Sequence, residues 1–216
     1  MLSNRYVVIM AGGIGSRFWP VSKASFPKQF IDILGTGKSL IRQTYERFLK
    51  IIPSENIYIV TNSAYFDLVK EQIPEIADNQ IIGEPSARNT APCIAYATFK
   101  INAINPDAVT VVSPSDHLIL NEGEFLRYIN NALDFAEANN ALVALGIKPH
   151  RPDTGYGYIQ YLTEEKAPGV NKVKTFTEKP NLELAKTFLE SGDFLWNAGI
   201  FIWSNSSILA AFDQYL

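Results

Sequence analysis

Short, continuous apolar segments alternate along this chain with longer segments of helical spacing. The apolar segments are five residues long and rich in β-branched residues, which predicts strands at 6–10, 57–61, 109–113 and 142–146. Apolar residues recur at helical spacing between them, which predicts helices at 39–49, 63–73, 91–104 and 122–138. Strands that are apolar at consecutive positions are typical of parallel sheets covered on both faces. The order predicts an α/β fold, an open Rossmann-like, mostly parallel sheet with helices on both faces.

The sequence changes character after residue 147. Proline and glycine become frequent, and the segments YIQYL and VNKVKTFTE alternate like exposed antiparallel strands, while AGIFIW is typical of a buried strand. No repeat or linker composition is present, so we expect one domain over residues 1–216 with a small antiparallel appended region. The helical pattern at 207–216 has no C-cap signal, so we expect the natural chain to continue.

Charge and cysteine content restrict the classes of partner. The 216 residues include 19 basic and 22 acidic side chains, a net charge of −3, which gives no overall basic surface for nucleic acid or membrane. The single cysteine excludes an internal disulfide and is typical of a reducing compartment. The first apolar segment is too short for a signal peptide or membrane span. We expect a cytoplasmic protein, and the sequence is compatible with a homo-oligomer.

The stretch VVIMAGGIGSRFWPVSKASFPKQF, residues 7–30, runs from the first predicted strand into a glycine-rich loop. The dinucleotide-binding fingerprint G-x-G-x-x-G could use Gly13 and Gly15, but its third glycine position holds Phe18. That glycine is needed where a helix packs closely on a strand, and a phenylalanine side chain fills the space. The sequence therefore excludes a dinucleotide loop of this type.

A second glycine-rich stretch, DILGTGKS at residues 32–39, is similar to the phosphate-binding motif G-x-x-x-x-G-K-[ST]. The first glycine of that motif would stand at the position of Asp32. We therefore interpret residues 35–37 as a turn and Ser39 as a helix N-cap.

The loop after the first strand remains as the candidate anion site. Gly12, Gly13 and Gly15 allow close backbone approach and positive φ, so that backbone N–H groups can bind a polyanion. Arg17 has a planar guanidinium suited to phosphate oxygens, and Lys28 follows a proline and could reach back over the same loop. The same spacing also fits a glycine turn beside two solvated cations.

The segment SPSDH places Asp116 just beyond the carboxyl end of the strand predicted at 109–113, where open α/β sheets bind ligands. Magnesium is commonly held by one or two carboxylates together with substrate phosphates, so one aspartate can begin a metal site. An aspartate in a Ser/Pro turn is the alternative. We interpret the neighbouring His117 as structural.

The segment G-G-x-G-x-R-x-x-P at residues 12–20, followed by Pro27-Lys28, resembles the signature of the sugar-nucleotide pyrophosphorylases, which are nucleotidyltransferases of the GT-A-like α/β fold. The segments EPSARNTAPCIAYA, SPSDH, GYGYI, FTEKP and WNAGIF are similar to the mannose-1-phosphate guanylyltransferase branch of that family. The resemblance extends from residue 6 to about residue 203.

The resemblance implies transfer of GMP from GTP to α-D-mannose 1-phosphate with Mg²⁺, which gives GDP-mannose and pyrophosphate. The sugar phosphate is an anionic nucleophile, so catalysis consists of positioning and charge stabilisation around the α-phosphorus. By resemblance, Asp116 binds the metal, and the catalytic residues are Arg17, Lys28, Asp116 and Lys179. Family members carry a second acidic metal ligand after the NAGIF strand. That ligand stands in a stretch reading roughly I-D-Y-x-x-x-E, and no stretch of this kind occurs before Leu216. We therefore expect Asp116 to be the only family metal ligand in this sequence.

Base recognition is implied for the segment before the helix predicted at 91–104. The nucleotide-binding residues are expected to be Ala11, Gly12, Gly13, Gly15, Ser16, Glu84, Arg88, Asn89 and Thr90. By pattern alone, Asn89 or Thr90 is simply the N-cap of that helix. Guanine presents N–H donors, so Glu84 is the candidate acceptor, and a backbone carbonyl is the alternative. Arg88 could pair with Glu84 or contact a phosphate.

The sugar is expected to contact Gly157, Glu178 and Asn197. A carboxylate suits sugar hydroxyls, and the ammonium of Lys179 suits the sugar phosphate. Neighbouring side chains point to opposite faces of a strand, so these two require a bend, for which Pro180 provides a reason. We interpret the tryptophan of WNAGIF as packing.

Two other functions stay open. The chain could act on a different sugar 1-phosphate and nucleotide, or it could be a non-catalytic relative that binds a nucleotide sugar in a regulatory role. Such a relative should lack Arg17, Lys28 or Asp116, and all three are present.

Overall fold

The computed structural model describes residues 4–84 and 90–215, apart from the side chain of residue 17. The chain forms two compact units. The first unit consists of Met1–Leu142 and Ile202–Leu216, and the second of Val143–Phe201. Within the described residues, no helix is long and apolar enough to span a membrane.

The regular elements are numbered in chain order. The strands are β1 (Arg5–Met10), β2 (Ile57–Asn62), β3 (Ile81–Glu84), β4 (Val109–Pro114), β5 (Leu142–Ile147), β6 (Gly157–Ala167), β7 (Val170–Glu178) and β8 (Phe194–Ser204). The helices are α1 (Leu40–Phe48), α2 (Phe66–Gln72), α3 (Thr90–Ile104), α4 (Glu122–Ala138), α5 (Leu182–Ser191) and α6 (Asn205–Tyr215).

The first unit contains a parallel sheet in the order β3-β2-β1-β4. Consecutive residues in β1, β2 and β4 are buried, so both faces of these strands are covered. This confirms the predicted α/β fold class. Three of these strands were predicted to within one residue, whereas the four-residue β3 was not predicted, because the segment IIGE is too short to show a periodic pattern.

Parallel pairing brings the carboxyl ends of these strands to one edge. Met10 at the end of β1 is in register with Pro114 at the end of β4, and Asn62 at the end of β2 is in register with Glu84 at the end of β3. Segments that leave these strands therefore begin side by side, which is where open α/β sheets bind ligands.

Side-chain caps determine where several helices begin. The Ser39 side chain accepts a hydrogen bond from the Arg42 N–H at the start of α1, and Asn121 accepts one from the Glu124 N–H at the start of α4. Gly35 and Gly37 both have positive φ, so the predicted turn and N-cap of DILGTGKS are confirmed. The helix predicted at 63–73 instead begins with a 3₁₀ turn at Ser63–Tyr65, because Asn62 caps the Ala64 N–H.

The second unit is built on antiparallel strands. β6 pairs with β7 and with β8, and β5 also pairs with β8. Helix α5 was not predicted, although Asn181 caps its first turn and Gly192 follows its last residue with a φ of 75°. The buried residues of α5, Ala185 and Phe188, pack in one cluster with Tyr158, Phe194 and Trp196 of the strands.

Candidate active site

The glycine loop follows β1 directly and is held from inside by buried polar side chains. The Gln29 Nε2 donates to the carbonyl oxygens of Ala11 and Gly13, at 2.8 Å and 2.9 Å. The Thr61 Oγ1 donates to the same Ala11 oxygen at 2.9 Å, and the Ala11 N–H donates to the Val60 carbonyl. The loop therefore has a defined backbone path.

Gly15 is the position in this loop that requires glycine. Its φ is 66°, and a Cβ there would lie 2.8 Å from the Ser22 Oγ and 2.9 Å from the Lys28 Cγ. The expectation of positive φ is wrong for Gly12 and Gly13, which are not among the positive-φ residues of the described chain. Hydrogen bonds that the Ala11 and Gly13 carbonyls accept from Gln29 and Thr61 hold the backbone at this point of the loop.

The outer side of the loop offers backbone donors. Across residues 4–84 and 90–215, the N–H groups of Gly12, Gly13, Ile14 and Gly15 donate to no protein acceptor. Gly13 and Ile14 are exposed. Unsatisfied N–H groups on consecutive exposed peptides can bind an anion.

Lys28 and Asp116 form the charged centre of this unit. The Lys28 Nζ lies 2.6 Å from the Asp116 Oδ2, and both side chains are about three-quarters buried. Lys28 opens a 3₁₀ turn at Lys28–Phe30, and its Nζ lies 5.2 Å from the centre of the Phe18 ring. The lysine thus does fold back over the glycine loop, where its Cγ would lie 2.9 Å from a Cβ on Gly15.

The backbone of Ser115, the residue before Asp116, is held by hydrogen bonds with β1 and α1. The Ser115 N–H donates to the Met10 carbonyl at 3.1 Å, and the buried Thr44 Oγ1 of α1 donates to the Ser115 carbonyl at 3.1 Å. His117 follows, and burial lowers its pKa below the usual value, against the opposing effect of the Asp116 carboxylate.

Glu84, the candidate base-recognition residue, stands at the end of β3 against the glycine loop. Its Oε2 would lie 3.3 Å from a Cβ on Gly12. Burial raises the pKa of Glu84, and a hydrogen bond with the Cys93 thiol of α3 opposes that effect. Thr90 begins α3. Arg88, Asn89 and the Arg17 side chain lie outside the described residues.

Ser16 continues the loop into a short 3₁₀ turn. Within the first unit, the structure therefore brings together Ala11 to Ser16, Lys28, Asp116 and Glu84 around the carboxyl ends of the parallel strands.

The second unit brings together the predicted sugar-binding residues. Gly157 is the register partner of Glu178 across β6 and β7. A Cβ on Gly157 would lie 2.6 Å from the Glu178 Oε2 and 3.5 Å from the Asn197 Cβ, so glycine makes room for both side chains. The Asn197 Oδ1 accepts a hydrogen bond from the Gly199 N–H at 2.9 Å, which fixes the orientation of its amide.

The backbone conformation of Lys179 confirms the bend predicted at the end of β7. Its φ is 45°, unusual for a residue with a side chain, and its N–H donates to the Tyr156 carbonyl. The Lys179 Nζ lies 3.0 Å from the Glu178 Oε1, with both side chains more than half exposed. An exposed pair of this kind contributes little to stability. Because both side chains are exposed, both charged groups are accessible to an anionic, hydroxylated ligand.

Trp196 packs, as predicted. It is buried, and its ring centre lies 5.1 Å from that of Tyr156 and 5.0 Å from that of His150. The Arg151 guanidinium lies 5.2 Å from the same ring.

Sequence reasoning missed Gln29, Thr44 and Thr61, whose contacts join segments far apart in the chain. The adjacency of Gln29 to Lys28 was the one available signal, and nothing in the sequence distinguishes Thr44 from other threonines. In the part of the chain that the structure describes, no three His, Cys, Asp or Glu side chains cluster as a metal site.

Comparison with known proteins gives consistent matches along the chain. The family model described as "Nucleotidyl transferase" matches residues 6–211. The mannose-1-phosphate guanylyltransferase of Escherichia coli is 39% identical over 222 residues, covering 100% of this chain and 47% of that protein. The protein of the same name from Salmonella muenchen is 40% identical over 212 residues, covering 96% of this chain and 44% of that protein.

Among solved structures, a Thermus thermophilus protein titled mannose-1-phosphate geranyltransferase matches with a TM-score of 0.89 and 29% identity. That match covers 99% of this chain and 61% of the other. The chain spans about half the length of the curated relatives it matches.

Proposed function

Because this chain belongs to the nucleotidyl transferase family, we propose that it transfers GMP from GTP to α-D-mannose 1-phosphate, releasing pyrophosphate. The observation that carries the proposal is the Lys28–Asp116 pair beside a loop whose backbone N–H groups have no acceptor among the described residues. The names of the relatives support guanosine and mannose as the substrate pair. We also propose that both units belong to one catalytic domain and that the protein works in the cytoplasm, where its single thiol would stay reduced.

The triphosphate is assigned to the first unit. Backbone N–H groups of the glycine loop and the Lys28 ammonium would bind the β- and γ-phosphates, together with the Arg17 guanidinium that the motif resemblance assigns there. These groups would stabilise the negative charge that develops on the leaving pyrophosphate.

Asp116 is the residue proposed to hold Mg²⁺. A carboxylate oxygen is a ligand that this ion prefers, and substrate phosphates and water commonly complete its coordination. The Asp116 carboxylate fits that chemistry because it is partly exposed and its one described ionic partner, Lys28, is a flexible side chain. When bound, the metal would neutralise phosphate charge.

The base is assigned to Glu84 and the loop before α3. The Glu84 carboxylate lies beside Gly12, so an acceptor for the N–H groups of guanine would stand next to the phosphate-binding loop. Thr90, and Arg88 and Asn89 outside the described residues, remain proposed members of the nucleotide site.

The sugar phosphate is assigned to the second unit. Glu178 would accept hydrogen bonds from sugar hydroxyls, the Asn197 amide would add a donor, and Lys179 would bind the phosphate. Gly157 remains a proposed member of the sugar site, where its lack of a side chain leaves room for Glu178 and Asn197. A phosphate oxygen of mannose 1-phosphate attacks the α-phosphorus in line with the bond to the β-phosphate oxygen, and that bond breaks.

Product analysis tests this proposal. The complete natural chain is incubated with Mg²⁺, equal concentrations of GTP, UTP, dTTP and ATP, and a mixture of mannose, glucose and N-acetylglucosamine 1-phosphates. We expect GDP-mannose to be the dominant nucleotide sugar. Another dominant product would establish a different substrate pair, and binding of nucleotide sugar without turnover would establish a regulatory relative.

A further inference from the structure

We propose that Gln29 is a positioning residue that keeps the glycine loop ready to bind phosphate. Its buried amide turns two loop carbonyls inward and thereby directs the N–H groups of the same peptides outward. The inference rests on the proposed function, in which this loop binds the phosphates of a nucleoside triphosphate.

The contacts of Gln29 use its amide nitrogen fully. The side chain is 2% exposed. The nitrogen carries two protons, and it donates to the Ala11 oxygen at 2.8 Å and to the Gly13 oxygen at 2.9 Å. One side chain therefore holds two peptides, with one peptide between them.

Peptide geometry converts these contacts into a direction for the N–H groups. The peptides that follow Ala11 and Gly13 are trans. In a trans peptide, the C=O and N–H point in opposite directions. Because the Ala11 and Gly13 carbonyls point towards the Gln29 amide, the N–H groups of Gly12 and Ile14 point away from it. Neither N–H has an acceptor among the described residues.

The two peptides do not depend on Gln29 equally. The Ala11 carbonyl also accepts a hydrogen bond from Thr61, so it keeps one partner if Gln29 is lost. The Gly13 carbonyl has Gln29 as its donor within the described chain. The Gly13–Ile14 peptide is exposed and is therefore the one that should turn when the amide is removed.

The position of Gln29 is itself well anchored. It lies in the middle of the 3₁₀ turn Lys28–Phe30, and the Phe30 side chain is 2% exposed. The Phe30 ring contacts those of Phe26 and Tyr65. The turn that presents the Lys28 ammonium therefore also fixes the loop amides.

Gln80 is a matched control for Gln29. It is also buried, and its Nε2 also donates to two carbonyls, those of Ser54 at 2.6 Å and Ile57 at 2.8 Å. These contacts lie at the amino-terminal ends of β2 and β3, away from the glycine loop. The Gln80 Oε1 also accepts a hydrogen bond from the Ala77 N–H at 3.1 Å. Gln29→Met therefore removes two hydrogen bonds and Gln80→Met three, with side chains of similar length, so the control is at least as disruptive to local structure.

The test compares the two variants in the complete natural chain by calorimetric titration with inorganic pyrophosphate and with GTP. We expect Gln29→Met to raise the dissociation constants for pyrophosphate and for GTP about tenfold, which corresponds to ~1.4 kcal/mol of lost binding free energy. Gln80→Met should leave them within about twofold of wild type, while both variants unfold at lower urea concentration. The KM for mannose 1-phosphate should change little in Gln29→Met.

Three results would overturn the inference: unchanged pyrophosphate affinity in Gln29→Met, an equal loss in Gln80→Met, or no pyrophosphate or GTP binding by the wild type. A wild type that binds pyrophosphate but makes no GDP-mannose would refute the proposed function alone. The inference would still be decided by the pyrophosphate affinities of the two variants.

Discussion

The Lys28 ammonium nitrogen lies 2.6 Å from a carboxylate oxygen of Asp116. One of these residues follows the glycine loop and the other follows β4, and the parallel pairing of β1 with β4 brings the two segments together. In the proposed reaction, each would bind a different partner, a phosphate and a metal ion. In the structure, the two opposite charges are paired with each other.

Replacing Lys28 separates its two effects. We expect Lys28→Met to lower turnover by about 10²–10³, because a cation at the leaving pyrophosphate commonly contributes ~3–4 kcal/mol. The same change should strengthen Mg²⁺ binding in the absence of nucleotide, since the Asp116 carboxylate loses its partner. Lys23→Met, at an exposed lysine of the same loop region, is the control and should change neither quantity. Near-normal turnover in Lys28→Met would remove this lysine from the site.

The conformation of Gly15 predicts a large cost for a single methyl group. Gly15→Ala must accommodate both a φ of 66° and contacts with Ser22 and Lys28 below 3 Å. Gly35 has a similar φ of 68° but open space around it, so Gly35→Ala should cost only the backbone strain of ~1–2 kcal/mol. Urea unfolding of both variants measures the difference, and GTP affinity should fall only in Gly15→Ala. Equal stability of the two would contradict the close packing of Lys28 on Gly15.

Lys179 is expected to act on the sugar phosphate. Lys179→Ala should raise the KM for mannose 1-phosphate more than that for GTP, because its ammonium is exposed beside Glu178 in the second unit. Lys186→Ala removes an exposed lysine from α5 of the same unit and should affect neither KM. Steady-state kinetics with each substrate varied in turn provide both values. A larger effect on GTP would reverse the assignment of this lysine.

Cys93 should be unreactive in the folded protein. Burial, with a smaller effect of the Glu84 carboxylate, raises its thiol pKa to about 12. Only ~10⁻⁴ of the thiol would then be ionised at pH 8, and the thiolate is the reactive form. Iodoacetamide labelling, followed by mass spectrometry, should therefore be at least about 100-fold slower in the native state than in urea.

The variant Glu84→Gln should accelerate native labelling of Cys93, since it removes the neighbouring negative charge. The chain has one cysteine, so the readout is specific. Fast labelling of the native wild type would mean that the thiol is exposed, and it would contradict the contact between α3 and the end of β3.

Local patterns were sufficient for much of the fold. The runs VVIM and VTVV identified β1 and β4 because consecutive apolar residues suit a strand covered on both faces. The bend at Lys179 followed from Pro180, and Ser39 was recognised as a cap from its place before an apolar helix. Strand β3 could not be recognised, since four residues do not establish a period.

The centre of the candidate site depended on contacts that sequence patterns do not encode. The pairing of Lys28 with Asp116, the clamp formed by Gln29 and the contact between Thr44 and Ser115 each join segments that meet only in the folded chain. The sequence alone does not distinguish a buried glutamine from an exposed one. Its role becomes visible only when the two carbonyls it binds are located.

The central claim is that mannose 1-phosphate attacks the α-phosphorus of GTP, and isotope labelling tests it most directly. The complete natural chain is incubated with Mg²⁺, GTP and mannose 1-phosphate whose phosphate oxygens are all ¹⁸O. The masses of the products are then measured by mass spectrometry. The account predicts GDP-mannose that retains every labelled oxygen, together with an equal amount of unlabelled pyrophosphate. Label in the pyrophosphate, or the absence of GDP-mannose while GTP and mannose 1-phosphate are both bound, would contradict it.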